Sequence, residues 1–317
     1  MEGEIRISWR RESRRFRVPV QTARGIFETR ESILLTLADS CGNAGEGEIA
    51  PWQGFGCENL DDAENFLRAA QRSRIFAEDF FSALPAKTRA FPCTRHAFEA
   101  AKFFLENPEM RDAPEPEGFA QLISRLPGNA FSAEKFVAFS GSSKTRIFKI
   151  KIGLEPLAEE LKFCRNVLRT ATELGNVKIR FDANGAWNGA DALDAISELN
   201  AFSALDFVEQ PLAATSANDA LIFSLPRERA EKIALDESLR EPWKIPEDAA
   251  IVAVVKPLLV GDFLRLREWL GSETGARYVI STVFENGAGA DVLRFLCREN
   301  EKNPRQLVCG RGNVWKN

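Results

Sequence analysis

Val177-Lys-Ile-Arg-Phe-Asp182 is one of five similar runs in the second half of the chain, and the nearly constant spacing of these runs predicts the fold. Each run is short, rich in Val, Ile or Phe, and ends on a lysine or a carboxylate. Amphipathic stretches of helix length separate the runs, a pattern that indicates parallel strands in repeating βα units. The other four runs cover residues 146–151, 205–209, 232–236 and 250–256.

The spacing of the charged ends predicts the architecture. Lys151, Asp182, Glu209, Asp236 and Lys256 follow one another at intervals of 31, 27, 27 and 20 residues. A strand, a turn and a three-turn helix need about 25 residues. The sequence therefore predicts an α/β fold, a (β/α) barrel with functional side chains at the C-terminal ends of its strands. Three further runs complete the strand count, at residues 136–140, 277–281 and 306–309.

The residues before the barrel have a different pattern. Antiparallel strands are predicted in the first forty residues, and helices at 60–84, 94–105 and 117–126. We expect an α+β capping domain over residues 1–127 and the barrel over 128–317, with the boundary near Pro127-Gly128. Glycines 42, 45 and 47 indicate a hairpin turn, since no Lys-Ser/Thr follows them as a phosphate loop requires.

Composition narrows the class of protein. The chain has 317 residues, 44% of them hydrophobic, and a net charge of −4, which argues against a nucleic-acid partner. The arginines between residues 6 and 17 indicate a solvated strand pair. Six dispersed cysteines without a C-x-x-C motif favour reduced thiols and a cytoplasmic location. No apolar stretch is long enough to cross a membrane, and the single histidine, His96, lies before the barrel and is predicted to pack.

Three carboxylates at successive strand ends point to a metal site. Asp182, Glu209 and Asp236 would converge at the rim of the barrel as hard oxygen ligands. Such a set suits Mg²⁺ with open positions for substrate oxygens. We also expect Mn²⁺ to be accepted.

Lysines flank the predicted metal site. The strand period of two directs both Lys149 and Lys151 into the barrel, and Lys256 would face them from another strand. Crowding against a second cation, a nearby metal and partial burial would lower a lysine pKa and make the amine a useful base. The pattern predicts proton abstraction beside a metal-bound carboxylate.

The motif set resembles that of the enolase superfamily, in its muconate-lactonizing subgroup, and most closely the o-succinylbenzoate synthase family within it. That family has a modified (β/α)7β barrel with an N-terminal capping domain. The capping-domain and lid segments that carry the resemblance are residues 22–25, 30–31, 47–51 and 54–56. The barrel motifs are Lys149-x-Lys151, Asp182-Ala-Asn184, Glu209-Gln-Pro211, Asp236-Glu-Ser238, Lys256-Pro257 and residues 280–287.

The resemblance implies roles for individual residues. Asp182, Glu209 and Asp236 match the Mg²⁺ ligands. Lys151 matches the acid/base, and Lys256 the opposite lysine, which stabilises the dienolate and stacks on the substrate ring. Further substrate contacts are expected from Lys149, Arg180, Asn184, Ser281 and Gly310, the last two through backbone N–H groups that would hold a succinyl tail. Glu237 is expected to support its neighbours without binding the metal.

The implied reaction is a syn elimination, the Mg-dependent dehydration of 2-succinyl-6-hydroxy-2,4-cyclohexadiene-1-carboxylate to o-succinylbenzoate, a step toward menaquinone. A small-molecule carboxylate is thus the expected partner, with neither nucleic acid nor membrane, and a monomer is compatible with the sequence. The alternative is an N-succinylamino acid racemase or dipeptide epimerase of the same superfamily. Residues 307–312 lack the Asp-x-Asp typical of dipeptide epimerases. A non-catalytic barrel would have no reason to keep all three carboxylates and the facing lysines.

Overall fold

The computed structural model describes residues 5–22, 25–52, 55–72, 77–111, 113–114, 120–123 and 146–310. The predicted domain boundary near residue 127, the predicted first barrel strand at 136–140 and Gly54 of the predicted lid lie outside the described residues.

The N-terminal region contains an antiparallel sheet in the order β1-β2-β3, which confirms the predicted strands. Asp39 closes the turn before β3, because its carboxylate accepts hydrogen bonds from the backbone N–H groups of Cys41 and Asn43, both at 2.9 Å. Exposed arginines lie along β1, as expected for a solvated strand pair. The strands are β1 Arg6–Thr22, β2 Gly25–Ala38 and β3 Ala44–Ile49.

Only one of the three glycines predicted to form a hairpin turn is in the turn itself. Gly42 has φ +89°, whereas Gly45 and Gly47 lie inside β3. A Cβ on Gly47 would come within 2.1 Å of the Ala97 carbonyl oxygen in a neighbouring helix. These two glycines therefore serve close sheet–helix packing.

Three helices share a core with this sheet. The first and third pack on the strands, and the second packs on the third. Their shared core continues into the barrel through Leu258, Leu259 and Val283. Helices were predicted over most of these residues. They are α1 Leu60–Arg72, α2 Ala77–Lys87 and α3 Pro92–Glu106, and a 3₁₀ turn follows at Pro108–Met110.

The C-terminal region is a curled sheet of seven parallel strands in the order β10-β9-β8-β7-β6-β5-β4. Their apolar runs are buried on both faces, as parallel strands covered by helices require. The predicted α/β fold is confirmed. The strands are β4 Gln121–Ile123, β5 Arg146–Lys151, β6 Val177–Asp182, β7 Leu205–Glu209, β8 Ile233–Leu235, β9 Val252–Val255 and β10 Arg277–Ile280.

Helices alternate with these strands and cover the outside of the sheet. Gly175 ends the first of them in left-handed backbone at φ 75°. No helix in the described ranges has the length and apolarity that a membrane span requires. The helices are α4 Leu157–Leu174, α5 Gly189–Leu199, α6 Ser216–Phe223, α7 Arg227–Ala230, α8 Pro257–Val260, α9 Phe263–Gly271 and α10 Gly287–Glu299, with a 3₁₀ turn at Pro242–Lys244.

The helix predicted over residues 117–126 is wrong for residues 121–123. Gln121, Leu122 and Ile123 pair in parallel with Phe148, Lys149 and Ile150 as strand β4. Three residues contain too little periodicity to separate a short edge strand from a helix.

Residues 306–310 close the cylinder, where the last strand was predicted. Gln306 and Gly310 form bridges to Tyr278 and Ser281 beside β10. On the other side, the Ala120 N–H donates to the Cys309 carbonyl at 3.0 Å, next to β4. The segment thus joins the two edges of the seven-stranded sheet.

Candidate active site

The three predicted carboxylates lie side by side at the C-terminal rim of the barrel. Asp182 ends β6 and Glu209 ends β7, and the two residues are partners in the sheet register. Asp236 follows β8 directly. All three line one pocket and are 1%, 2% and 5% exposed. Three buried acids at one sheet edge need compensating positive charge.

Lys149 and Lys151 supply part of that charge from strand β5. Lys149 Nζ donates to Glu209 Oε1 at 2.7 Å and lies 2.8 Å from Asp182 Oδ2. Lys151 Nζ donates to Asp182 Oδ2 and, at 2.7 Å, to Asn184 Oδ1. Both lysines point into the pocket, as the strand period predicted.

Lys256 approaches from the end of β9. Its Nζ donates to Asp236 Oδ2 and lies 4.6 Å from the ring centroid of Phe55 in the N-terminal region. The pocket therefore contains Lys151 and Lys256 on different strands, with the carboxylates between them in the sheet order.

The charges shift one another's pKa values. Burial and the neighbouring Asp182 raise the pKa of Glu209 to about 7. Burial would also raise the pKa of Asp182, but Lys149 and Lys151 outweigh it and hold that pKa below its usual range. Asp182 is therefore the firmly ionised partner of the lysine pair.

For two of the lysines the predicted pKa direction is reversed. Burial alone would lower the pKa of Lys149, but Asp182 and Glu209 raise it above that of an ordinary lysine. Lys256 shows the same balance, with Asp236 as the main opposing charge. Carboxylates in direct contact outweigh burial and the crowding of cations.

The acidic residues provide the right donors for a hard divalent cation. Within the described residues, however, no group of three His, Cys, Asp or Glu side chains is arranged around a common metal position. Each carboxylate instead meets an ammonium group. Burial, and after it the repulsion from Asp182, raises the pKa of Glu209, and a divalent cation would relieve that repulsion. The donor chemistry therefore fits Mg²⁺, with lysine ammonium groups as the counter-charges in this arrangement.

Asn184 orients the base candidate. Its backbone has φ 45°, and its N–H donates to Asp182 Oδ1 at 3.1 Å. Its side chain accepts from Lys151 and donates to Glu237 Oε1 at 2.9 Å. Asn184 therefore fixes Lys151 relative to Asp182, while Glu237 supports Asn184 from the side, as expected for that glutamate.

Arg180 lies deep in the pocket on the strand that carries Asp182. Its Nε donates to Asp206 Oδ2 at 2.7 Å, its Nη1 donates to the Val308 carbonyl at 2.8 Å, and its guanidinium lies over the Phe207 ring. Its buried Nη2 has no hydrogen-bond partner among the described residues. A substrate carboxylate would satisfy that donor.

Ser281 and Gly310 are brought together at the rim, but not with the donors that the sequence suggested. The Ser281 N–H donates to the Val255 carbonyl at 2.8 Å, and the Gly310 N–H to the Ile280 carbonyl at 2.9 Å. Both N–H groups therefore close the barrel and already have acceptors, so they are not the donors that the sequence suggested, while substrate contact through these two residues stays a prediction. The Ser281 hydroxyl, beside Gly310, remains as a donor.

Sequence reasoning missed the apolar wall of the pocket. Trp52 from the N-terminal region and Val283 and Phe284 from the turn after β10 line it, together with Phe55 of the predicted lid. Trp52 and Phe284 have ring centroids 5.4 Å apart. Their aromatic character was the available signal, but no periodicity links residues so far apart.

His96 is buried against Phe263, as predicted.

Comparison with known proteins agrees with this geometry. Residues 132–255 match the family model described as enolase C-terminal domain-like. An o-succinylbenzoate synthase of Klebsiella pneumoniae (strain 342) is 29% identical over 273 residues, which are 84% of this chain and 78% of that protein.

Solved structures share the fold. The o-succinylbenzoate synthase from Thermosynechococcus elongatus BP-1, complexed with Mg in its active site, superposes with a TM-score of 0.71 at 23% identity, over 98% of this chain and 94% of that one. A dipeptide epimerase from Methylococcus capsulatus, complexed with Mg and the dipeptide L-Arg-D-Lys, gives 0.72 at 19% identity, over 97% and 90%.

Proposed function

We propose that this chain is an enzyme of the enolase superfamily and that it dehydrates 2-succinyl-6-hydroxy-2,4-cyclohexadiene-1-carboxylate to o-succinylbenzoate. The observation that carries the proposal is Lys151, whose Nζ is held by Asp182 and Asn184 at the rim of the barrel, beside two further carboxylates and opposite Lys256. The curated relatives named o-succinylbenzoate synthase support the substrate.

Lys151 carries the proton in both halves of the reaction. As the neutral amine, Lys151 removes the proton from the ring carbon that bears the carboxylate, and the electron pair stays on the substrate. The resulting ammonium then gives a proton to the departing ring hydroxyl, which leaves as water. A single group at both steps requires that hydrogen and hydroxyl leave from one face, a syn elimination. Asn184 and Asp182 keep the amine in place between the steps.

The opposite side of the pocket needs only a positive charge. Lys256 is held by Asp236 and covered by Phe55, and its ammonium stabilises the negative charge that spreads into the ring and stacks on it. Its raised pKa suits a cation that does not change protonation state. Arg180, through its unpartnered Nη2, and Lys149 are the groups we assign to the substrate carboxylates.

Asp182, Glu209 and Asp236 would hold Mg²⁺ or Mn²⁺. When bound, the cation would stabilise the negative charge that builds up on the substrate carboxylate while the proton on the adjacent carbon is removed. As a consequence of the proposed reaction, we place the enzyme in menaquinone biosynthesis and in the cytoplasm, acting on a small carboxylate without nucleic acid or membrane.

The alternative to dehydration is racemisation or epimerisation, and the positions of Lys151 and Lys256 favour it. Lys151 and Lys256 approach the pocket from different strands, and two facing amines are what a two-base racemase of N-succinylamino acids or an epimerase of dipeptides needs. The fold also matches a dipeptide epimerase. The direct contact with Asp236 raises the pKa of Lys256 and keeps that amine protonated. Lys256 is therefore a poor second base, which favours dehydration with Lys151 as the single base.

Product analysis separates the two candidates. The purified protein with Mg²⁺ is given the cyclohexadienecarboxylate and, in parallel, an N-succinylamino acid and a dipeptide in D₂O. We expect aromatic o-succinylbenzoate from the first, at a kcat/KM well above that of α-proton exchange in the other two. Exchange without dehydration would replace this proposal by the racemase alternative.

A further inference from the structure

The turn after strand β10 holds a bulky residue in an unfavourable backbone conformation. Phe284 has φ 64°, in the left-handed region that favours glycine and is strained for a bulky side chain. Thr282, Val283 and Phe284 all line the pocket. The shape of the pocket wall therefore depends on what keeps this turn in place.

Glu285 holds the turn from within. Its carboxylate accepts hydrogen bonds from the Val283 N–H, at 3.0 and 3.1 Å to its two oxygens, and from the Thr282 hydroxyl. The Thr282 hydroxyl in turn accepts from the Phe284 N–H at 2.7 Å. The backbone N–H groups of Val283 and Phe284 therefore donate to side chains, because this turn lies outside the strands and helices.

Arg30 holds the same turn from the N-terminal region. Its Nε donates to the Val283 carbonyl at 3.2 Å, and its other nitrogens donate to the carbonyls of Pro51, at 2.7 Å, and Ala50. Its guanidinium carbon lies 4.8 Å from the Trp52 ring centroid. One buried side chain thus binds the segment that carries Trp52 and the turn that carries Phe284.

Glu48 fixes the same junction at a second point. Its carboxylate accepts from the N–H groups of Asn286, at 2.7 Å, and Gly289, at 3.2 Å, at the start of helix α10. A Cβ on Gly289 would come within 2.4 Å of that carboxylate. Burial lowers the pKa of Arg30, and the acids Glu48 and Glu285 oppose that shift. Both acids therefore act on Arg30 at the junction of β2, β3 and the barrel.

We propose that Arg30 is a positioning residue for the substrate pocket: through the Val283 carbonyl and Trp52 it sets the distance between the two halves of the aromatic wall. The inference deepens the proposed function, on which it rests, because it names the residue that shapes the wall against which the substrate ring would lie. Arg30 does not line the pocket and takes no part in proton transfer.

The chain contains a matched control for this role. Arg305 is also 5% exposed, donates to the backbone carbonyls of Ala276, Trp269 and Ser272, and lies 4.7 Å from the Trp269 ring centroid. It is bound at the start of β10, whereas the pocket lies at the end of that strand. Loss of Arg305 removes the same kind of interaction without touching the pocket wall.

The test compares Arg30→Lys with Arg305→Lys, since lysine keeps the charge but cannot reproduce the fork of donors. Both variants should lower the melting temperature. Only Arg30→Lys should raise KM, by roughly tenfold, with kcat within about twofold of wild type. If Arg30→Lys does not fold, Glu285→Gln, which loosens the same turn from within, should give the same KM signature. An unchanged KM in the folded Arg30 or Glu285 variant overturns the proposal.

A second readout is independent of catalysis. Hydrogen exchange followed by mass spectrometry should show faster exchange of the Val283 and Phe284 amides in Arg30→Lys than in Arg305→Lys or wild type. Equal exchange in the two variants contradicts the positioning role. If the wild type forms no o-succinylbenzoate but exchanges racemase substrates, the proposed function fails, and the KM comparison is made with those substrates.

Discussion

The Lys256 ammonium lies 4.6 Å from the centre of the Phe55 ring, so a side chain from the N-terminal region covers a lysine at the end of barrel strand β9. The same ring also lies 5.1 Å from the Arg240 guanidinium carbon. Residues 55 and 56 are the described part of the predicted lid, and Phe55 lines the pocket. This contact connects the predicted lid to the charged residues of the candidate site.

Phe55→Ala should raise KM more than it lowers kcat, because the ring covers the site and moves no proton. A cation–π contact is worth about 0.5–2 kcal/mol, which corresponds to roughly 2- to 30-fold in KM. Phe81→Ala is the control, since Phe81 makes a similar contact with Lys102, 5.5 Å from its ring, and does not line the pocket. Steady-state kinetics of both variants decide, and equal KM values for Phe55→Ala and wild type would show that the lid is misplaced.

The two lysines should respond differently to substitution. Lys151→Ala should lose at least the roughly 10²–10⁴-fold that positioned proton transfer contributes, and Lys151→Arg should not recover it, because a guanidinium stays protonated. Lys256→Arg should retain part of the rate, since only a positive charge is needed there. Single-turnover rates of the three variants test this, and a fast Lys151→Arg enzyme would rule out Lys151 as the acid/base.

Activity should require a divalent cation. Excess chelator should stop turnover, and Mg²⁺ or Mn²⁺ should restore it. Asp182→Asn, Glu209→Gln and Asp236→Asn should each abolish turnover without unfolding, because each removes a charge and a ligand from a three-carboxylate site. Glu198→Gln, at an exposed pair with Arg165, is the control and should keep wild-type activity. Full turnover in chelator would contradict the metal assignment.

Stability should fall in mild acid because of His96. Burial lowers the folded-state pKa of His96 to about 3, while the unfolded value is about 6.5. Below pH 6.5 the unfolded chain binds a proton at His96 that the folded protein excludes. The free energy of unfolding therefore decreases as the pH is lowered from about 6.5 to the folded-state pKa. This group should cost about 2 kcal/mol between pH 7 and pH 5.

Denaturant unfolding of wild type and His96→Leu at several pH values isolates that contribution. The difference in unfolding free energy between the two proteins should shift in favour of the variant as the pH falls from 7 to 5. A difference that does not change with pH would mean that His96 is protonated in the folded state or accessible to water.

Most of the barrel and of the candidate site could be predicted from local sequence. Buried parallel strands leave apolar runs, and their ends place Lys151, Asp182, Glu209, Asp236 and Lys256 on one rim because the architecture puts all strand ends on one face. Strand β4, by contrast, is only three residues long, and its pairing with β5 depends on the whole sheet.

Contacts between distant segments could not be predicted. Arg30 and Val283 are linked only by the docking of the N-terminal region on the barrel, and nothing in either local sequence encodes it. The same holds for the N–H groups of Ser281 and Gly310, which close the barrel because residues 306–310 return beside β10. The lysine pKa directions depend on distances to carboxylates that only the fold defines.

The rate of o-succinylbenzoate formation by wild type and Lys151→Ala, measured side by side with Mg²⁺, tests the central claim most directly. We expect wild type to convert the cyclohexadienecarboxylate to the aromatic product, and the variant to lose about 10²-fold or more of that rate. Product formation at the same rate by both proteins, or α-proton exchange of N-succinylamino acids by a wild type that forms no aromatic product, would contradict it.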